Sequence, residues 1–226
     1  LCFAALCYLV AMAELPPALP AILGLLDVIG IAVFALSGAA LAARLRQTFV
    51  TLAFFALITG VGGGSVRDLL IGAPVFWVRE MWVAPVCLGV ALLAWFTPHR
   101  WWEGRLFEWA DAAGLSAYSV LGTVKALEYG VPPVTAALMG VISGCVGGII
   151  RDVLAAQPSI LLRPELYVTA SALTAALVIA GDAAGLPNAM VWIVAASAGF
   201  ALRGAAIHWG LAIPTYTAGS GAKLSE

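Results

Sequence analysis

Two short stretches concentrate the residues able to do chemistry. GGGSVRD at 62–68 and GGIIRD at 147–152 each set glycines just before an arginine and an aspartate. Asp27, Asp111 and Lys125 add isolated charges inside otherwise apolar sequence. A charge within a bilayer costs at least ~2.5–3.5 kcal/mol, so such residues pair with one another or face water. The spacing predicts two depth-matched pairs, Asp27 with Arg67 and Asp111 with Arg151. They act as clasps between helices or directly on a permeating species, and both readings stand. Asp68 and Asp152 follow their arginines immediately, where no single helix face holds both neighbours, so their expected roles are capping or neutralising. Lys125 has Leu41 as its counterpart; it snorkels outward or projects into a pathway as a charge gate.

The glycines are the second chemical feature. Each lowers helix stability by roughly 1 kcal/mol relative to alanine. The clusters Gly60, Gly62, Gly63, Gly64 and Gly144, Gly147, Gly148 therefore predict a kink or unwound turn in each of two apolar stretches. Unwound backbone at membrane depth needs protein or a water-filled cavity beside it, and its freed carbonyls can coordinate a cation. A cation held by backbone carbonyls near the glycines is the site this implies. Simple close packing is the alternative, but two matched clusters with charged neighbours favour the unwound turn. Ser37, Thr59, Ser65, Thr123, Thr135 and Ser143 are candidate polar linings, each also explicable as a helix–helix hydrogen bond.

Enzyme chemistry finds no support. GxSxG, HExxH and a Walker-type phosphate loop are missing, and with them the usual signatures of a nucleophile, a zinc site or a nucleotide site. Cys2, Cys7, Cys87 and Cys145 lie in apolar runs without CxxC spacing, so they read as packing residues. His99 and His208, beside Arg100 and Trp209, read as interfacial. No cofactor is expected.

The elements that position these residues follow from composition. The chain has 226 residues, 63% hydrophobic and 10% charged, with a mean hydropathy of +1.03. About a quarter charged is usual for a soluble domain. Apolar runs near the ~20 residues needed to cross a bilayer recur at about 20–43, 48–72, 81–97, 106–128, 133–155, 165–182 and 188–209. The predicted class is an all-α polytopic membrane protein whose environment is the lipid bilayer. A net charge of −1 without basic tracts gives no reason to expect nucleic acid or a soluble partner.

An internal repeat organises the chain. Asp27 and Asp111, Gly30 and Gly114, Gly38 and Gly122, Gly60 and Gly144, and Arg67 and Arg151 all keep one offset of 84. Asp68 and Asp152, Pro74 and Pro158, and Arg79 and Arg163 extend it. Three spans per unit make the repeats inverted, with the seventh span unpaired. The expected divisions are 1–19 as an N-terminal extension, 20–97 and 98–185 as the repeats, and 186–226 as the seventh helix and tail. Ala11-Met12-Ala13 resembles a signal-peptidase site. Basic residues gather on one side, at Arg44, Arg46, Arg100, Arg105, Arg163, Arg203 and Lys223, against Arg79 and Lys125 on the other. That bias predicts a cytoplasmic C-terminus and an outside N-terminus.

The stretches DVIGIAVFALSGAALA, GVGGGSVRDLLIGAPVFW, DAAGLSAYSVLGTVKAL and GCVGGIIRDVLAAQPSILLRPELY together resemble the bacterial branch of the trimeric intracellular cation channels. The resemblance runs from about 22 to 205. It implies seven helices, a homotrimer in a bacterial plasma (inner) membrane, and a pore in each protomer between the first, second, fourth and fifth helices. Monovalent cations, chiefly K⁺ and also Na⁺, would be permeant ions. Val146 departs from the pattern, standing where the first cluster has Gly62, and implies a weaker second bend. The lysine–glutamate motif tied to phosphoinositides in animal members is not seen. Relatives described as glycine transporters keep a carrier of a small neutral amino acid as the alternative.

Overall fold

Each of the seven apolar stretches forms a helix, with ends within three residues of those expected. The computed structural model describes residues 18–102, 105–157 and 166–212. The Ala11-Met12-Ala13 pattern, Pro158, Arg163 and Lys223 lie outside them. The helices are α1 (Ala18–Arg44), α2 (Phe49–Leu70), α3 (Val83–Phe96), α4 (Leu106–Glu128), α5 (Pro133–Leu154), α6 (Val168–Ala183) and α7 (Asn188–Trp209). A single helical turn, Phe76–Arg79, and a 3-10 turn, His99–Trp101, lie in the connections on either side of α3.

By length and composition, Asp27–Arg44 within α1 and the whole of α2, α5 and α7 are apolar enough to cross a membrane. Helix α4 carries Glu108, Asp111, Lys125 and Glu128 along its length. Helix α3 has 14 residues, or about 21 Å at ~1.5 Å per residue, shorter than the ~30 Å hydrocarbon core.

Local signals set the ends. Thr48 caps α2, its side chain accepting from the Thr51 N–H at 3.4 Å. Pro133 opens α5, where its missing N–H costs nothing. The offset of 84 recurs in the backbone itself. After α1, Arg46 takes a left-handed conformation (φ 52°) and the Gln47 N–H bonds back to the Ala42 carbonyl. After α4, Gly130 does the same (φ 75°), with Val131 bonding to Ala126. Gly72 (φ 70°) and Ala156 (φ 50°) close α2 and α5 in the same way. These are Schellman-type ends, and only one residue of each pair is glycine. A left-handed non-glycine residue costs about 1–2 kcal/mol. Ala156→Gly is accordingly expected to stabilise the protein by about 1 kcal/mol, read as a raised unfolding midpoint in detergent.

Packing falls into two groups, α1 with α2 and α3, and α4 with α5 and α6, with α7 against α4 and α6. The groups meet where α1 crosses α4 and where α2 crosses α5. At the first crossing a Cβ on Gly30 would come 2.7 Å from the Tyr118 ring, and one on Gly114 2.9 Å from the Phe34 ring. Phe34 and Tyr118 themselves meet edge to face, centroids 5.1 Å apart. At the second crossing Gly63 lies against the Ser143 backbone and Gly147 against the Thr59 backbone. In both, the partners exchange under the offset of 84, and one index falls as the other rises. The crossing helices therefore run antiparallel.

Candidate functional site

The glycine-rich helices are continuous. Helices α2 and α5 run unbroken through Gly60, Gly62, Gly63, Gly64 and through Gly144, Gly147, Gly148. The expected unwound turn is not present, and with it goes the basis for freed carbonyls coordinating K⁺. Missing side chains serve contact instead. Gly60 faces Cys87 and Ile31, where a Cβ would lie 3.3 and 3.4 Å away, and Gly144 faces Ser119 and Leu115 at 2.6 and 2.8 Å. Gly62 lies over α5, where a Cβ would come 3.6 Å from the Gly147 Cα. Gly64 and Gly148 each sit beneath a guanidinium, a Cβ at either position lying 3.6 Å from Nη2 of Arg67 or Arg151. The sequence G-x-x-R-D thus leaves room, one helical turn earlier, for the arginine to fold along its own helix.

That space explains a second departure. Each arginine bonds the aspartate that follows it, despite their adjacent helical positions. Arg67 Nε and Nη2 reach Asp68 Oδ1 at 2.9 and 2.8 Å. Arg151 Nε and Nη2 reach Asp152 Oδ1 at the same distances. The long side chain swings sideways where a short one would not, so the two copies build one motif.

Each motif then recruits a residue from the other helix group, and here the copies differ. At the end of α2, Lys125 Nζ of α4 bonds Asp68 Oδ1 at 2.8 Å. The Phe76 N–H donates to Asp68 Oδ2 at 3.0 Å. Asp68 is fully buried, while the Lys125 side chain is 26% exposed and passes 5.9 Å from the Phe76 ring centroid. Ser65 accepts from Trp77 Nε1 at 2.9 Å and donates to the Val61 carbonyl. At the end of α5, Arg151 Nη1 bonds Asp111 Oδ1 at 2.6 Å. Ser37 of α1 accepts from Arg151 Nη1 and donates to Asp111 Oδ1 at 3.2 Å. Because α2 and α5 run antiparallel, the clusters lie at opposite ends of the bundle.

Of the two expected pairs, then, Asp111–Arg151 is a bonded ion pair, while Asp27 feels Arg67 as its strongest favourable charge without a bond to it. Both donor nitrogens of Arg67 that make bonds lie on Asp68, which Lys125 and the Phe76 N–H hold in place. Asp27 is half-buried. Lys125 neither snorkels away nor stands alone; it bridges α4 to α2. Thr123 and Ser143 donate to the Ser119 and Met139 carbonyls of their own helices, and Thr59 is buried at the α2–α5 crossing. Thr135 is exposed. Sequence reasoning missed the Lys125–Asp68 bond and the buried Ser119–Ser171 hydroxyl contact at 2.5 Å. For Lys125 the signal was its mismatch with Leu41, which marks a residue with a partner of its own.

A helical bundle with an exposed apolar surface and charges buried in two matched clusters defines an integral membrane protein built on a doubled unit. A family model described as "Glycine transporter" matches the chain twice, over residues 24–99 and 108–183, again 84 apart. The chain is 37% identical to a UPF0126 membrane protein of Vibrio cholerae, over 86% of this chain and 83% of that one. It is 35% identical to the UPF0126 inner membrane protein YadS of Escherichia coli, over 84% and 94%. The solved structure of a trimeric intracellular cation channel orthologue from Rhodobacter sphaeroides superposes with a TM-score of 0.78 at 39% identity, over 84% of this chain and 99% of that one. A prokaryotic channel of the same kind, solved in 0.5 M KCl, gives 0.79 at 27% identity, over 85% and 98%. The chain belongs to this family, the UPF0126 membrane proteins that form the bacterial branch of the trimeric intracellular cation channels. These solved relatives are ion channels and not enzymes.

Proposed function

We propose that the protein is a monovalent cation channel, chiefly for K⁺, with one pathway in each protomer of a homotrimer. The observation that carries the proposal is the likeness, over most of the chain, to solved cation channels at up to 39% identity. In this reading the seven helices span a bacterial inner membrane as two inverted three-helix units, 20–97 and 98–185. The seventh helix and tail occupy 186–226, with the N-terminus outside and the C-terminus in the cytoplasm. The pathway passes between α1, α2, α4 and α5, and the charged clusters stand at its two ends. The Lys125–Asp68 bond holds the α2 end closed, and opening requires the ammonium to leave the carboxylate.

Planar-bilayer recording of purified protein tests the function. Discrete currents reversing with the K⁺ gradient are expected, and a K⁺/Na⁺ bi-ionic potential measures the preference between the two ions. Lys125→Gln is expected to raise open probability by up to roughly tenfold, the range that losing a partly exposed charge-assisted bond of about 1.5 kcal/mol implies; unchanged traces would remove Lys125 from the gate. A second reading, carriage of a small neutral amino acid, draws on the description of the matching family model. Saturable glycine uptake into proteoliposomes without K⁺ currents would replace the channel by that carrier.

A further inference from the structure

We infer that the arginine-rich end of the α1, α2 and α3 group holds an anionic glycerophospholipid. An open cavity of about 280 Å³ lies there, walled by Ala43, Leu52, Ala94, Trp95 and Trp102. Its size is at the low end for ligand pockets, which suits part of a lipid, the glycerol-ester region and first methylenes, and not a whole molecule.

Three observations fix the chemistry of the occupant. Polar Gln47 and Thr97 join the five apolar wall residues, a mixture that suits a glycerol-ester region, and the face beside them is made of exposed Leu93, Trp95, Phe96 and Trp101, the aromatic and aliphatic mixture of a membrane interface. Trp102 is buried, yet its indole N–H has no acceptor among the described residues; a buried N–H normally has one, and a lipid ester carbonyl supplies it. Two exposed arginines flank the cavity along the chain, Arg46 just before the α1–α2 connection ends and Arg100 between Phe96 and Trp102. Residues 43–52 hold Arg44 and Arg46 and no acid, and Glu103, after Trp102, is the nearest carboxylate to residues 94–102 in sequence. Arginines this near the lining residues in sequence match a phosphate with a net negative headgroup, whereas a zwitterionic headgroup gains little from them. Arg46 is held at a left-handed position by the helix end after α1, so its side chain starts from a fixed backbone. This lipid site lies at the opposite end of α4 from Lys125 and is independent of the proposed channel activity.

Native mass spectrometry of the purified full chain tests it, with phosphatidylglycerol and phosphatidylcholine of identical acyl chains titrated in detergent. Phosphatidylglycerol is expected to be retained preferentially. The R46Q/R100Q variant is expected to lose that preference by roughly 30-fold, about fivefold for each arginine near anionic lipid. Ala43→Phe, which narrows the cavity while keeping the arginines, is expected to weaken both lipids. Equal retention of the two lipids, or an undiminished preference in R46Q/R100Q, overturns the inference. So does an oligomer whose second copy covers this face and admits no lipid.

Discussion

Arg151→Ala is expected to destabilise the protein by about 3–5 kcal/mol, the cost of removing one partner from a buried charge pair. Arg151 is fully buried, and its guanidinium serves Asp111, Asp152 and Ser37 at once. Its loss takes the guanidinium from Asp111 and Asp152 together and leaves a hydroxyl without its donor. The counterpart, Arg67→Ala, is expected to cost less, roughly 1.5–3 kcal/mol for a charge-assisted bond. Asp68 would still hold Lys125 and the Phe76 N–H. The comparison uses chemical unfolding in mixed micelles, with elution volume on size-exclusion columns as a second readout. If Arg67→Ala were the more damaging, the cross-group bond from Lys125 would not be supporting Asp68.

Gly147→Ala is the second large effect. The added Cβ would lie 2.6 Å from the Thr59 carbonyl oxygen, a backbone atom of the facing helix. Gly63→Ala meets the Ser143 backbone in the same way, 3.0 Å from its carbonyl carbon. Neither neighbour can rotate aside, so α2 and α5 must separate. Overpacking of this kind costs about 1–3 kcal/mol, against a gain of roughly 1 kcal/mol in helix propensity. The double variant is expected to fall short of the sum, because both methyls push the same helices apart. Gly89→Ala in α3 is the control: nothing lies within 4 Å of its Cβ, so only the propensity gain remains. If these glycines served as hinges alone, all three alanines would raise stability. A rise in Gly147→Ala would sink the contact reading.

The repeat was legible because its markers are rare residues, glycine, aspartate and arginine, held at one offset in apolar sequence. The helices were legible from length and hydropathy. The use of the glycines was not. A sequence reports that a Cβ is missing and leaves open what fills the space: for Gly63 it is a facing backbone, for Gly148 the Arg151 guanidinium with the Tyr167 ring hydroxyl beside it. Charge pairing was half legible. Depth matching found Asp111–Arg151 as a bonded pair and put Asp27 in the field of Arg67, but the Arg67 guanidinium bonds Asp68, one residue away. Such a sideways bond depends on side-chain reach and on the glycine one turn back, neither of which a helical-wheel argument carries.

The two crossings have a consequence for symmetry. Gly63 touches Ser143 while Gly147 touches Thr59, and Gly30 touches Tyr118 while Gly114 touches Phe34. That reciprocity is the signature of an isologous interface, the surface by which one subunit binds a copy of itself. Within this single chain the two units meet as two such copies would. Being parts of one polypeptide, they are free to differ. A pair of identical copies with a lysine at the place of Leu41 and Lys125 would carry it at both ends; this chain carries it at one, and places Ser37, which has Leu121 as its counterpart, at the other.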